Sequence, residues 1–182
     1  MKILSGNCQG MGNSLTFHYL KELCYTHYLD ILRKCCFFKS FFVNPQGLAK
    51  GLALSLKEEC NVFVIHLEVY FLHAYIYNSS INSNIDVLFV YISNVEEVKT
   101  IQFTSLINYR SSIGNYFVII GDFNSILSAV EKEGGTQFTH SNSLLFRNFI
   151  KELGLIDLGY KGSGMTWSNK GEGVHHIKER LD

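Results

Sequence analysis

Long apolar runs are missing from this chain. The run at residues 87–92 is strand length, whereas a membrane-spanning helix needs about 20 apolar residues, so no spanning or targeting segment is legible. Repeats, low-complexity tracts and linkers are missing too, and Pro45 is the single proline. That leaves one domain, a reading that 182 residues suit. An excess of charge is missing as well: Lys+Arg and Asp+Glu both number 16. Nucleic-acid binders tend to be basic, so this balance counts against strong, non-specific DNA binding. A disulfide framework is not indicated. The cysteines Cys8, Cys24, Cys35, Cys36 and Cys60 are odd in number, irregularly spaced and not preceded by a secretory leader, which reads as reduced thiols and an intracellular chain. The histidines form no zinc spacing with them, and His175 and His176 face opposite sides if they lie in a strand.

What is present is a globular composition, 47% hydrophobic and 18% charged. Residues 1–5, 37–43, 52–56, 62–67, 69–76, 87–92 and 116–120 read as strands, rich in β-branched and aromatic residues. Residues 156–158, 166–168 and 176–181 read as short final strands. Pro45-Gln46-Gly47 marks a turn. A helix capped by Asn13 or Ser14 carries Leu15, Tyr19, Leu20, Leu23 and Cys24 at helical spacing. A second, capped near Ser93 or Asn94, has Val95, Val98, Ile101, Leu106 and Ile107 as its apolar stripe, with Glu96 and Glu97 in the first turn, where the dipole favours them. A third begins at Ser141 or Asn142, carries Leu145, Phe146, Phe149, Ile150 and Leu153, and stops at Gly154. Strands in succession with helices between some of them predict an α/β fold, two sheets packed as a sandwich with helices outside.

The richest stretch is residues 118–124, VIIGDFN. A buried strand there ends in Asp122 and Asn124 on one face, with Phe123 pointing the other way. A carboxylate and an amide side by side can hold water and a phosphate. Taken alone, the same residues also suit a turn after a strand. Lys170, Lys178 and Arg180 form a small basic cluster, which reads first as a solvated face and second as a phosphate contact.

Several segments, in order, resemble one family. They are MKILSGNCQGMGN at the start, VNPQGLAKGLALSLKEECNV, LFVYISN, VIIGDFNSILSAVEKEGG, and a last segment containing GLIDLGY, TWSN and RLD. The chain is similar in these to the endonuclease domain of plant non-LTR (LINE-type) retrotransposon reverse transcriptase proteins, within the endonuclease/exonuclease/phosphatase superfamily. The resemblance implies a helix-flanked β-sandwich, Mg²⁺ as cofactor, DNA as partner, phosphodiester hydrolysis as the reaction, and a nuclear location if functional. It also implies that Asp122 orients the attacking water, that Asn124 and Asn7 contact phosphate, and that Tyr91 faces the scissile phosphate. Asp122, Asn7 and Asp182 would be the metal ligands. Thr166, Trp167, Ser168 and Asn169 would line a DNA-facing rim.

The chain departs from the family at defined points. The family's Met-Glu-Thr type motif, whose glutamate is the principal metal ligand, has no counterpart. The segment ending at His27 runs directly into one, beginning at Tyr28, that resembles the helix beyond that strand, so a strand is read as deleted near residues 27–28. Glu22 and Asp30 are poor substitutes. The family's closing Ser-Asp-His would follow Asp182, so the last strand is read as truncated. Gly6, Lys50 and Leu56 stand where the family has tryptophan, glycine and tryptophan. The expectation is a degenerate endonuclease with turnover absent or severely reduced. The alternatives are a non-catalytic nucleic-acid or protein binding module and, ranked lower, a phosphatase of the same superfamily.

Overall fold

The computed structural model describes residues 3–7, 39–43, 52–56, 62–78, 82–159 and 164–181. The expected first helix, the Pro45 turn, all the cysteines, Glu22, Asp30 and Asp182 lie outside these residues. The chain divides into two compact units, Met1–Tyr91 with Asn115–Gly121, and Ile92–Gly114 with Asp122–Asp182.

The first unit holds two sheets. β1 (Ile3–Asn7), β2 (Lys39–Val43) and β3 (Leu52–Leu56) form an antiparallel sheet in the order β1-β3-β2. β4 (Val62–Leu67), β5 (Phe71–Asn78), β6 (Ser83–Tyr91) and β7 (Phe117–Asp122) form the second, in that order. The alternation of β3 explains its packing. Leu52, Leu54 and Leu56 are buried, as a strand with period two and one covered face requires. Leu54 and Leu56 share one cluster with Val62, Leu72, Ala74, Ile76, Val87 and Phe89 of the larger sheet, which makes the two sheets a sandwich. His73 is buried in β5 and meets Asp86 of β6 at 2.7 Å. Asp86 N–H donates to the Tyr116 carbonyl, and Ile92 N–H donates to the Asp122 carbonyl. The partners advance together along both strands, so β6 and β7 run parallel and need a crossover between them.

That crossover is helical. The second unit contains α1 (Glu96–Tyr109), α2 (His140–Leu153) and a small sheet of β8 (Lys132–Glu133), β10 (Lys178–Glu179) and β9 (Trp167–Ser168), in the order β8-β10-β9. The helices join through stacked rings: Phe103 lies 4.4 Å from Phe149 and 5.7 Å from Phe146. The α2 reading holds, with Phe146, Phe149 and Leu153 buried and Gly154 left-handed at φ 64°.

Two expectations are corrected. The α1 stripe is met only in part: Leu106 is buried and Ile107 half-buried, but Val95, Val98 and Ile101 are exposed, and Lys99, Gln102 and Phe103 take the inward positions. Residues 156–158 form no strand. Ile156 and Leu158 are exposed, and the Asp157 carboxylate accepts the Gly159 N–H at 2.8 Å, so the segment closes a local turn instead of joining a ladder. β8 was not anticipated, being too short for alternation to register.

Candidate functional site

β7 ends where the sequence pattern placed the site, and the backbone there tolerates only glycine before the aspartate. Gly121 has φ 148°, and a Cβ on it would lie 1.9 Å from the Val90 carbonyl oxygen of β6. After Asp122 the chain turns sharply. Asp122 Oδ1 accepts the Asn124 N–H at 2.9 Å, an Asx turn, and Asn124 takes the left-handed φ of 45° that asparagine accepts more readily than most residues. The Asn124 side chain then donates from Nδ2 to the Ile92 carbonyl at 2.6 Å. Phe123 points away from both, its ring 5.0 Å from Phe146 and 6.3 Å from Phe149, as strand alternation requires.

A cation lies beside this turn that sequence reasoning missed. Lys99, on α1, is 8% exposed. Its Nζ donates to the Asn124 carbonyl at 2.7 Å and stands 3.8 Å from Glu96. Burial pushes its pKa below the usual lysine value, opposed by the carboxylates of Glu96, Asp122 and Glu179. The available signal was positional. Lys99 and Gln102 fall in line with Phe103 and Leu106 at helical spacing, and Gln102 Oε1 accepts the Ser93 N–H at 2.8 Å. A cavity of about 180 Å³ opens beside the turn, lined among others by Lys99, Asn124, Ser125, Lys132, Thr136 and Gln137.

Leu181 ties the turn to the small sheet. Its carbonyl accepts the Phe123 N–H at 2.8 Å, and its N–H donates to Thr166 Oγ1 at 3.1 Å. Three of the four residues from 166 to 169 therefore have polar groups engaged within the fold. Asn169 Oδ1 accepts from Gly171 N and Ile177 N, and its Nδ2 donates to the His175 carbonyl, which closes the loop between β9 and β10. Ser168 Oγ lies 2.9 Å from His176 Nε2 and accepts the Lys170 N–H. Trp167 is half-buried in β9. Of the basic cluster, Lys178 pairs with Glu133 and Arg180 with Glu131 and Asp157; Lys132 pairs with Glu179.

The structure thus brings Asp122, Asn124 and residues 166–169 into one unit. Tyr91 is a buried residue at the end of β6, in the other unit, its N–H on the Tyr70 carbonyl. Asn7 ends β1 opposite Leu52, and its side chain is outside the described part, as is Asp182.

Mg²⁺ prefers carboxylate, phosphate and water oxygens in a near-octahedral set. Among the described residues, no group of three or more His, Cys, Asp or Glu is placed to hold a metal ion. Asp122 brings a single carboxylate to the turn, and one of its oxygens already accepts a backbone N–H. The described residues alone therefore do not fit the ion. No helix among them is long and apolar enough to cross a membrane.

No protein-family model and no curated protein matches the chain. Solved structures do. The endonuclease domain of TRAS1, a telomere-specific non-LTR retrotransposon, is similar at TM-score 0.58 and 13% identity, over 79% of this chain and 65% of that domain. TDP2 of D. rerio, complexed with a single-strand DNA product, is similar at TM-score 0.52 and 13% identity, over 100% of this chain and 82% of its own. TDP2 from Caenorhabditis elegans is similar at TM-score 0.50 and 14% identity, over 100% of this chain and 62% of its own. The chain spans about two-thirds of the length of the TRAS1 domain. At these identities the likeness establishes the fold, which is that of the endonuclease/exonuclease/phosphatase proteins.

Proposed function

We propose that the chain is a degenerate DNA endonuclease domain of the non-LTR retrotransposon type, whose inherited reaction is hydrolysis of a DNA phosphodiester. The observation that carries the reading is the end of β7. A carboxylate and an amide leave a parallel strand side by side, on a turn braced by backbone, in a fold shared with the TRAS1 endonuclease domain and TDP2. In this reading Asp122 orients the water that attacks phosphorus, and Asn124 and Asn7 contact the phosphate without adding negative charge. Tyr91 faces the scissile group, and the segment 166–169 borders the DNA. Mg²⁺ is the cofactor of the ancestral reaction, supplying charge neutralisation on the phosphoryl oxygens, with Asp122, Asn7 and Asp182 as its inherited ligands.

Turnover by this chain is proposed to be absent or severely reduced. The reason is the internal deletion read near residues 27–28, which removes the glutamate that is the family's principal metal ligand. Loss of one such group costs roughly 10²–10⁴-fold in rate by analogy with other removed charge-stabilising or proton-transferring groups.

A second reading, a non-catalytic module that retains a DNA contact surface, is favoured by one observation. Asp122 Oδ1, Asn124 Nδ2 and the Asn169 amide all bond to backbone. Both readings predict DNA binding that weakens as salt rises. A fluorescence titration of a short duplex at about 50 and 200 mM salt, an interval over which phosphate contacts lose affinity steeply, checks it. A flat isotherm at the lower salt contradicts both. Hydrolysis of a generic phosphomonoester, with no action on DNA, would point instead to a phosphatase of the same fold.

A further inference from the structure

We infer that Lys99 is the positioning residue of the Asp122–Asn124 turn: its ammonium, donated to the Asn124 carbonyl, sets the conformation in which the Asp122 carboxylate is presented. The inference rests on the reading of Asp122 as the site carboxylate and adds a residue to that site from a different element.

The geometry is specific. Lys99 lies in the second turn of α1, on the inward stripe that continues through Gln102, Phe103 and Leu106. Phe103 and Leu106 on that stripe pack a ring and an aliphatic chain, and a methionine or leucine at residue 99 would meet the packing need without the cost of desolvating an ammonium. The structure instead places a nearly buried cation against one backbone carbonyl, 2.7 Å away, with the exposed Glu96 carboxylate farther off at 3.8 Å. That carbonyl belongs to the residue with the left-handed φ of 45°. The same residue supplies the N–H that Asp122 Oδ1 accepts and the amide that anchors to Ile92. Three bonds therefore converge on Asn124; the one from Lys99 has a charged donor and the one to Asp122 a charged acceptor, both of the stronger kind.

The ammonium also offsets local negative charge. Glu96, Asp122 and Glu179 all act on Lys99 electrostatically, and Lys132, which lines the same cavity, is paired with Glu179. Without Lys99, the carboxylates around the turn lose a buried counter-charge, and the Asn124 peptide loses one of the three bonds that oppose its return to an ordinary backbone conformation.

Two measurements test this on the full chain, neither of which needs turnover. The first is amide hydrogen exchange at residues 122–125 in the wild type, Lys99→Met and Lys99→Arg. The expected result is at least tenfold faster exchange at the Asn124 amide in Lys99→Met, with Phe103, Leu106 and Phe149 unchanged, and recovery of protection in Lys99→Arg, whose guanidinium restores a charged donor. Unchanged exchange at Asn124 in Lys99→Met, or failure of Lys99→Arg to protect it where the core is intact, overturns the inference. The second uses the wild type alone and covers the case in which Lys99→Met does not fold. A slowly exchanging lysine ammonium resonance with scalar coupling across the hydrogen bond to the Asn124 carbonyl is expected. The absence of that coupling overturns the inference. Plasmid nicking, by contrast, reports on the reading of Asp122, so the two can fail separately.

Discussion

At the residue scale, Gly121 and Asp122 carry different kinds of information. The glycine of the GDFN motif is explained by space and backbone alone, because a side chain there meets the Val90 carbonyl at a φ only glycine adopts comfortably. Gly121→Ala is expected to destabilise the chain by at least about 2 kcal/mol, read as a lower urea midpoint; an unchanged midpoint would contradict the packing. Asp122 and Asn124 were legible as a pair because both types are polar and follow an apolar run. Their bonds to each other and to Ile92 were not, since these depend on the turn and on the residue that follows β6. Arg180 and Asp157 show the same limit. The Gly159 N–H, and after it the Arg180 guanidinium, hold the Asp157 carboxyl below the usual carboxylate range. Its folded pKa is depressed, so its contribution to stability is fully present above the unfolded value of about 4. That contribution is lost as pH falls through the lower folded value. Asp157→Asn should therefore lower stability in the neutral region, flatten the acid limb of a pH–stability profile below about pH 4 and converge with the wild type in stronger acid; an identical acid limb would contradict the assignment.

Elements were legible to the extent that apolar residues alone decided them. α2 followed its periodicity because every inward position is a ring or an aliphatic chain, apart from the buried Ser143, which bonds to the His140 carbonyl. α1 was found as a helix, and Leu106 of its apolar stripe does face inward, but its first two turns were read with the wrong residues inside. Hydrophobicity put Val95, Val98 and Ile101 on the core side; the structure puts Lys99 and Gln102 there, each satisfied by a backbone group that the helix itself does not supply. Periodicity cannot see a buried polar residue whose partner lies 25 positions away in sequence. The shared stripe between the helices rests on Phe103, whose removal in Phe103→Ala should cost about 3–5 kcal/mol by equilibrium denaturation; a cost under about 1 kcal/mol, the scale of a tolerated hydrophobic swap, would contradict the stacked contact. The loop between β9 and β10 is similar in kind. Asn169 borders the DNA by resemblance, and in the structure its amide bonds three times to its own loop. Asn169→Ala is expected to accelerate hydrogen exchange at Gly171 and Ile177, and unaltered exchange there would argue against that loop-closing role.

For the molecule as a whole, the fold was readable because succession of strands, a helical crossover and ordered motifs all point the same way. The two-sheet core in the first unit, and likeness to the TRAS1 domain and TDP2, agree with that reading. Activity is a separate matter, since a fold hosts many chemistries and the site must be argued from Asp122 and its neighbours. In the proposed reading, this strand end keeps the form of a phosphodiester site and the chain lacks the carboxylate that should stand opposite it. Nicking of supercoiled plasmid in Mg²⁺, with this chain, its Asp122→Ala variant and an intact endonuclease domain of the same fold side by side, tests it most directly. The account predicts nicking by this chain at least about 100-fold below the intact domain, with any residual rate abolished by Asp122→Ala. Nicking at a rate comparable to the intact domain, or a rate that Asp122→Ala leaves unchanged, would contradict it.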